Sequence, residues 1–423
     1  MTSIDIRHGD CLEVLRSLDD NSVDSVVTDP PYGLSNTKPA QVADVLAAWV
    51  TGDTEAVPAK KGGFMGADWD SFVPPPAVWQ ECLRVLKPGG HMAVFAGART
   101  QDLMGLGIRL ARFEIRDTLG WVYGSGFPKG QDIGKAIDKL AGIRRGSSPD
   151  YRNGPNTNPS TKGTAHYSGG FGIQDGTDTG PVTPGAEQWD GWNTQLKPAI
   201  EPIILARKPL DSTVAANVLA HGVGGLNIDA CRVGAPDAQE GRKRHGGGNA
   251  VSPSMMGPLN PDVRPASPAG RFPANVLLDE HAAKEMDEQS GVSKSPPVGS
   301  MANTKGAGSV FPRGGRPPSP NGHGDSGGAS RFFPVFKYQA KAPKKERPVI
   351  EREDGTKVQH PTVKPVALME WLVTLITPEG GTTLDPFAGT GTTLQAARDK
   401  GFNAIGVEQD EDYIQLIEQR LSA

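Results

Sequence analysis

At both ends of this 423-residue chain, short β-branched runs alternate with helix-length amphipathic runs, and the pattern breaks in the middle. Residues 4–7 and 23–27 read as strands around a helical segment, 11–18, and Pro30 closes the second strand. A helix is expected over 42–50, inside an insert spanning 35–66. Another runs over 75–86, where Lys87-Pro-Gly-Gly90 reads as its stop signal. Residues 91–96 then read as a strand, followed by a helix to about 112. The last seventy residues resume the alternation: helices over 366–376, 392–400 and 412–421, with strands over 382–384 and 403–407. Alternation at this spacing predicts an α/β fold, a doubly wound and mainly parallel sheet covered on both faces.

The middle is different. The chain holds 54 Gly and 37 Pro, together 91 residues, and the excess sits in 145–195 and 233–330. Those stretches also carry Ser, Asn and Thr but few apolar side chains. They cannot offset ordering entropy by burial, so long loops are expected there. Between them 199–206 reads as a strand and 214–219 as a short helix, and order resumes at 332–338. Net charge divides in the same way. Residues 101–350 carry 30 Lys+Arg against 23 Asp+Glu, or +7, and the rest carries 14 against 25, or −11. A basic middle between acidic ends suits a polyanion-binding insert on a catalytic domain, although ordinary scatter in a long chain gives the same figures. The resulting division is a first half-domain at 1–135, a variable region at 136–345 and a second half-domain at 346–423. No secretory pattern precedes residue 20 and no long apolar run is present. Cys11, Cys82 and Cys231 lack metal-ligand spacing and suit a reducing compartment, so a cytoplasmic protein is expected.

The segment from Thr382 to Thr393 reads as strand, Gly-rich turn and helix start, and contains Asp385, Phe387, Ala388, Gly389, Thr390, Gly391 and Thr392. Glycines there let a ligand approach the backbone. No Gly-Lys-Ser/Thr follows, which excludes the phosphate loop of NTPases, and Leu394 stands where a dinucleotide fingerprint has its third Gly. Asp385 at the strand end repels a pyrophosphate and attracts an ammonium or sulfonium group. Glu408 closes the next strand, where an acid commonly holds ribose hydroxyls. S-adenosylmethionine combines a positive amino-acid end, a ribose and no phosphate, and Phe387 can lie against its adenine.

A second cluster follows the strand at 23–27: Thr28-Asp29-Pro30-Pro31-Tyr32-Gly33. Two prolines end the strand rigidly and leave carbonyls without ladder partners. Asp29 and the Pro30 carbonyl are acceptors, and acceptors suit methylation of an aromatic amine. Drawing both N–H bonds toward them localises the nitrogen lone pair for attack on a sulfonium methyl. Tyr32 offers a ring on which a flipped base can stack.

Together the two motifs resemble the amino-DNA methyltransferases of the β order, in which the catalytic motif precedes the cofactor motif in a circularly permuted arrangement. The resemblance spans roughly 1–135, 197–232 and 331–423. It implies a mainly parallel seven-stranded sheet with one reversed strand and S-adenosylmethionine as cofactor. It further implies that Asp10 and Cys11, in Gly9-Asp10-Cys11, touch the adenine amine. His360, Thr362 and Lys364, in His360-Pro-Thr362-Val-Lys364-Pro365, would touch the methionyl end. Trp121 to Lys129 and Lys197 to Pro202 resemble a subgroup often carried by bacteriophages, which implies a bacterial cell as the setting. The Gly/Pro-rich stretch before His360 takes the place of the family's target-recognition insert.

Asp in the catalytic motif leans toward adenine N6, with cytosine N4 as the alternative, since Ser is more usual there. Cytosine C5 chemistry needs a thiolate nucleophile after a proline, and no cysteine here follows one. Methylation of an RNA or protein amine or amide is a further alternative, as is a silent DNA-binding protein that keeps the fold. Relatives acting on amides usually carry Asn in place of Asp29, and a silent protein has no reason to keep Asp29, Tyr32, Asp385 and Glu408 together. Double-stranded DNA is the expected partner; a homodimer and a separate restriction endonuclease are left open. Candidate phosphate contacts are Arg144, Arg145, Arg242, Lys243, Arg244, Lys341, Lys344 and Lys345. Tyr167, Trp189 and Trp192 are candidates for stacking on bases.

Overall fold

The computed structural model describes residues 2–35, 37–58, 68–124, 126, 130–143, 145, 180–234, 270–294, 325–336, 348–352, 354–360 and 362–422. The chain forms two compact units, one of residues 1–125 with 200–423, the other of 126–199. The first unit begins with β1 (Ile4–His8), α1 (Cys11–Arg16), β2 (Val23–Thr28), α2 (Pro39–Thr51), α3 (Pro76–Val85), β3 (Leu86–Phe95), α4 (Gln101–Leu110) and β4 (Glu114–Val122). The second unit contributes α5 (Ile133–Leu140) and α6 (Pro184–Gln188). The first then continues with β5 (Ile200–Arg207), α7 (Val214–His221), β6 (Val276–Asp279), α8 (Glu280–Ser290), β7 (Ser293–Lys294), β8 (Ser326–Gly327) and β9 (Val335–Phe336). It closes with β10 (Ile350–Glu351), β11 (Lys357–Val358), α9 (Val366–Ile376), β12 (Thr382–Asp385), α10 (Thr392–Lys400), β13 (Asn403–Glu408) and α11 (Glu411–Ser422).

One sheet organises the first unit, in the order β1-β13-β12-β2-β3-β5-β4-β6-β9. Every pairing in it is parallel except the two made by β5, so a single strand is reversed. Adjacent residues of β2 show how both faces are covered. Val26 packs with Leu15 of α1, Trp79 and Cys82 of α3 and Ile108 of α4. Val27 packs with Leu368 and Leu372 of α9, Leu394 of α10 and Ile417 of α11. Successive strand side chains point to opposite faces, so a central strand is covered on both sides, as the wholly buried β2 is, and its polar residues Asp24, Ser25 and Thr28 each have a hydrogen-bond partner. The doubly wound reading of the two chain ends agrees with this arrangement.

Three expectations need correction. The sheet has nine strands among the described residues, not seven: β6 and β9 extend it beyond β4. β6 lies in the stretch read as long loop, yet Leu277 and Leu278 are buried there and Asp279 caps α8 through Ala282 N at 2.6 Å. Four residues between Gly/Pro-rich flanks give too short a period to detect. Lys87-Pro-Gly-Gly90 does not separate a helix from a strand but lies inside β3, and a register shift between Val23 and Ser25 accommodates it. β4 was not anticipated, because its middle residues are exposed and break the alternation. No helix among the described residues is long and apolar enough to cross a membrane.

Candidate active site

β2 and β12 are parallel neighbours, with Ser25 opposite Thr383 and Val26 opposite Leu384, so both motifs leave the same edge of the sheet. Thr28 Oγ1 donates to Asp385 Oδ1 at 2.7 Å, and Phe387 N donates to the same oxygen at 3.1 Å. Burial pushes the Asp385 carboxyl up to about 6, against the lowering effect of hydrogen bonds from Thr393, Thr28 and Phe387. On the neighbouring β13, Glu408 accepts from Gly389 N at 2.8 Å and from Gln409 N and Asp410 N at 2.9 Å. Burial pushes it up to about 7 despite those bonds. Two carboxylates at adjacent strand ends are thus held partly desolvated and favour a ligand carrying positive charge or hydroxyl donors.

The turn between them is tightly built. Gly389 and Gly391 have φ of +54° and +76°, and a Cβ on Gly391 would lie 2.9 Å from Ile417 Cγ2. Ala388 N donates to Val407 O at 2.8 Å, and the buried Thr390 hydroxyl accepts from Arg420 Nη2 at 3.2 Å. Thr392 opens α10 directly after it. Phe387 is half-buried with its ring 6.4 Å from that of Trp79. Gly9 N donates to Glu408 O at 3.0 Å, which brings the loop bearing Asp10 to the same strand end. Asp10 caps α1 through Leu12 N and Glu13 N, at 2.9 and 3.2 Å. The Cys11 thiol is pushed up to about 12 by burial and the adjacent Asp10, so it stays protonated.

His360 stands over this turn: a Cβ on Gly389 would lie 3.7 Å from its Nε2. Its ring is stacked on Trp69 at 6.0 Å and meets Tyr413 edge-on at 4.9 Å. Thr362 N lies 3.2 Å from His360 Nδ1. Burial lowers the imidazole's pKa, which keeps it neutral.

At the other motif, Tyr32 is locked in place. Asp70 Oδ1 accepts from Tyr32 N at 2.7 Å and Gly33 N at 2.9 Å, while Thr100 Oγ1 donates to Tyr32 O at 2.6 Å. Gly33 has φ of +66° and no room for a Cβ, which would lie 2.8 Å from Val73 N. The Tyr32 hydroxyl meets two carboxylates, Asp29 Oδ1 at 2.8 Å and Glu201 Oε2 at 3.2 Å. Lys364 Nζ lies 2.6 Å from Asp29 Oδ2 and 3.4 Å from Glu201 Oε2, above the rings of Phe95 and Tyr32 at 4.9 and 5.3 Å. Burial alone would lower the pKa of this ammonium, but Asp29 and Glu201 outweigh it and hold the group firmly charged. Pro30 is buried.

Glu201, Asp70 and Thr28 were not among the anticipated site residues. One signal was available for Glu201, an acid entering the otherwise apolar run Ile200 to Leu205. Asp70 had none. Among the candidates for DNA contact, Arg145 is committed elsewhere: its side chain is buried against Asp138 at 2.5 Å. Trp189 and Trp192 pack edge-to-face at 4.9 Å in the second unit and remain exposed, Trp192 by 60%. Tyr167, Arg144, Arg242, Lys243, Arg244, Lys341, Lys344 and Lys345 lie outside the described residues, as do Phe127 to Lys129.

An open, mainly parallel α/β sheet with acidic side chains gathered at neighbouring strand ends defines a protein that binds its ligand at the carboxyl edge of the sheet. A family model described as DNA methylase, for N6 and N4 methyltransferases, matches residues 23–419, and the chain belongs to that family. Among curated relatives, the type II methyltransferase M2.DpnII of Streptococcus pneumoniae is 40% identical over 65 residues, which is 15% of this chain and 24% of the relative. The type II methyltransferase M.HinfI of Haemophilus influenzae is 42% identical over 77 residues, 18% of this chain and 21% of the relative. The matched stretch thus spans under a quarter of either relative. A solved M1.HpyAVI–SAM complex aligns over 99% of this chain and all of its own, at 13% identity and a TM-score of 0.38.

Proposed function

We propose that this protein transfers a methyl group from S-adenosylmethionine to an exocyclic amine of a flipped DNA base, with adenine N6 as the preferred target. The observation that carries the reading is the Thr28–Asp385 bond, which sets an acceptor cluster for an amine directly beside a turn suited to the methyl donor. Family membership supplies the nucleic-acid context.

The residues present fit the donor. Gly389 leaves the turn open to close approach, Glu408 accepts ribose hydroxyls, and Phe387 flanks the adenine, next to Asp10 and the Cys11 segment. Asp385 favours the positive methionyl end through the turn it organises. Its own carboxylate is 2% exposed, so it acts mainly by field and by fixing the backbone of Phe387. His360 stands over the same turn, with Thr362 beside it. When bound, S-adenosylmethionine supplies an electrophilic methyl group.

The chain's own contribution is to the amine. Asp29 and the Pro30 carbonyl accept its two N–H bonds, which pulls the nitrogen out of conjugation and frees the lone pair. Tyr32 stacks on the base, held by Asp70 and Thr100. Lys364 Nζ donates to Asp29 Oδ2 at 2.6 Å and holds that carboxylate in place, which leaves Oδ1 toward Tyr32. The middle of the chain is the proposed target-recognition region, because a sheet edge offers little surface for reading a groove.

The test is to incubate the purified protein with unmodified genomic DNA and methyl-labelled S-adenosylmethionine, then analyse the nucleosides. N6-methyladenine is expected. Label in N4-methylcytosine would move the target to cytosine, and absence of label from DNA would overturn the reading.

A further inference from the structure

Glu201 has no role in the reading above, yet it ends a hydrogen-bonded line that starts at Asp29. The other residues of β5 from Pro202 onward are buried, and Ile203 to Ala206 are apolar, so packing gives no reason for an acid at this position. Tyr32 has one hydroxyl hydrogen and two carboxylates within reach, Asp29 Oδ1 at 2.8 Å and Glu201 Oε2 at 3.2 Å. Burial, reinforced by both carboxylates, pushes the phenol's pKa well above the ordinary tyrosine range. It therefore stays a neutral hydroxyl, which can take a proton on oxygen while giving up its own. Lys364 Nζ lies nearer to Asp29, at 2.6 Å, than to Glu201, at 3.4 Å. The ammonium thus compensates Asp29 more closely than Glu201, which leaves Glu201 the less compensated of the two carboxylates.

Amine methylation produces such a proton. This inference rests on the function proposed above. As the N–C bond forms and the C–S bond breaks, the neutral nitrogen becomes cationic and must shed one N–H proton. The geometry points to Glu201 as the acceptor through which that proton leaves. It passes from nitrogen to Asp29 Oδ1, then to the Tyr32 oxygen as the hydroxyl hydrogen moves to Glu201 Oε2. Asp29 is returned as a carboxylate, Tyr32 as a phenol, and Glu201 carries the proton to water. Both carboxylate side chains are 24% exposed, and a base seated on Asp29 covers its share. Glu201, one residue beyond the base, keeps its route to solvent.

The experiment measures single-turnover methylation of genomic DNA by the full chain while imidazole buffer is raised at constant pH and ionic strength. The parent is expected to be insensitive to buffer. Glu201→Gln keeps polar partners for Lys364 and Tyr32 but is a far weaker base. It should bind S-adenosylmethionine with the parent's affinity, react at least about a hundredfold more slowly, and speed up as buffer base replaces the missing acceptor. Glu201→Asp should recover most of the rate. A Glu201→Gln rate equal to the parent's would overturn the inference. So would a slow rate that buffer leaves unchanged, since Glu201 would then only balance the charge of Lys364. If Glu201→Gln fails to bind cofactor, Tyr32→Phe breaks the line one step earlier and must show the same buffer-dependent rate; slowness without buffer response overturns the inference there too. A parent that methylates no DNA amine would instead overturn the proposed function, and this inference with it.

Discussion

The hydroxyl of Thr28, the last residue of β2, donates to the carboxylate of Asp385, the last residue of β12, at 2.7 Å. Both side chains are buried, so the bond ties the two motifs together across the centre of the sheet. Thr28→Val keeps the shape and removes the donor. A buried acceptor deprived of a partner costs about 1–3 kcal/mol, so the variant should unfold at lower denaturant. Its cofactor affinity should also fall, because Asp385 would hold Phe387 less firmly. Chemical denaturation and calorimetric titration read the two effects separately.

The raised carboxyls make cofactor binding pH-dependent. Asp385 and Glu408 titrate at about 6 and about 7 in the folded protein, above their unfolded values of 3.8 and 4.5. The folded state thus holds these protons more tightly than the unfolded one. Their contribution to stability is greatest at low pH and is lost as pH rises from about 4 to about 7. A cationic, hydroxyl-bearing ligand favours the ionised forms, so its binding should release protons at pH 6 and none at pH 8.5. Calorimetry in buffers of different ionisation enthalpy measures the release. Glu408→Gln should remove the larger part of it.

Asp29→Ala separates chemistry from binding. The acceptor matters most while the amine is attacking, so methyl transfer should be lost while S-adenosylmethionine affinity remains near the parent's. Near-native turnover would exclude Asp29 from the mechanism.

Gly391→Ala tests the turn itself. The position has φ of +76° and no space for a Cβ beside Ile417. A left-handed conformation alone costs an alanine about 1–2 kcal/mol, and displacement of Ile417 adds to it. A lower melting temperature and weaker cofactor binding should appear together.

Both motifs were legible in the sequence because each is a continuous run whose chemistry is local: a Gly-rich turn after an acid, and an acid before two prolines. Val26 and Val27 likewise carry the two-sided packing in the sequence, as adjacent apolar residues of a buried strand. Lys364, Glu201 and Asp70 were not legible in the same way. Lys364 reaches Asp29 across 335 positions, Glu201 reaches Tyr32 across 169, and Asp70 accepts from the Tyr32 backbone across 38. No period or spacing rule links residues that meet only through sheet topology. β6 escaped for a further reason, since two buried leucines in a four-residue strand give little signal between Gly/Pro-rich neighbours.

If the middle of the chain holds DNA, salt separates two kinds of contact. Arg242, Lys243 and Arg244 form a basic triplet in a segment with net positive charge. If they neutralise phosphates, binding releases counterions, and the slope of log affinity against log salt includes about 0.9 for each contact. Reversing all three charges should flatten that slope by at least about 2 and weaken binding most at low salt. Trp192 is uncharged and 60% exposed against Trp189. A stacking contact there is worth roughly 1–3 kcal/mol per base and releases no ions. Trp192→Ala should therefore weaken binding by a similar factor at every salt concentration and leave the slope alone. Neither change should alter which base is methylated, because both leave the proposed amine acceptors Asp29 and Pro30 untouched. Fluorescence anisotropy of a labelled duplex, titrated at several salt concentrations, measures both slopes. An unchanged slope in the triple variant would exclude the triplet as a phosphate contact and shift the basic footprint to Lys341, Lys344 and Lys345. Unchanged affinity in Trp192→Ala would leave the tryptophan pair as packing of the second unit alone.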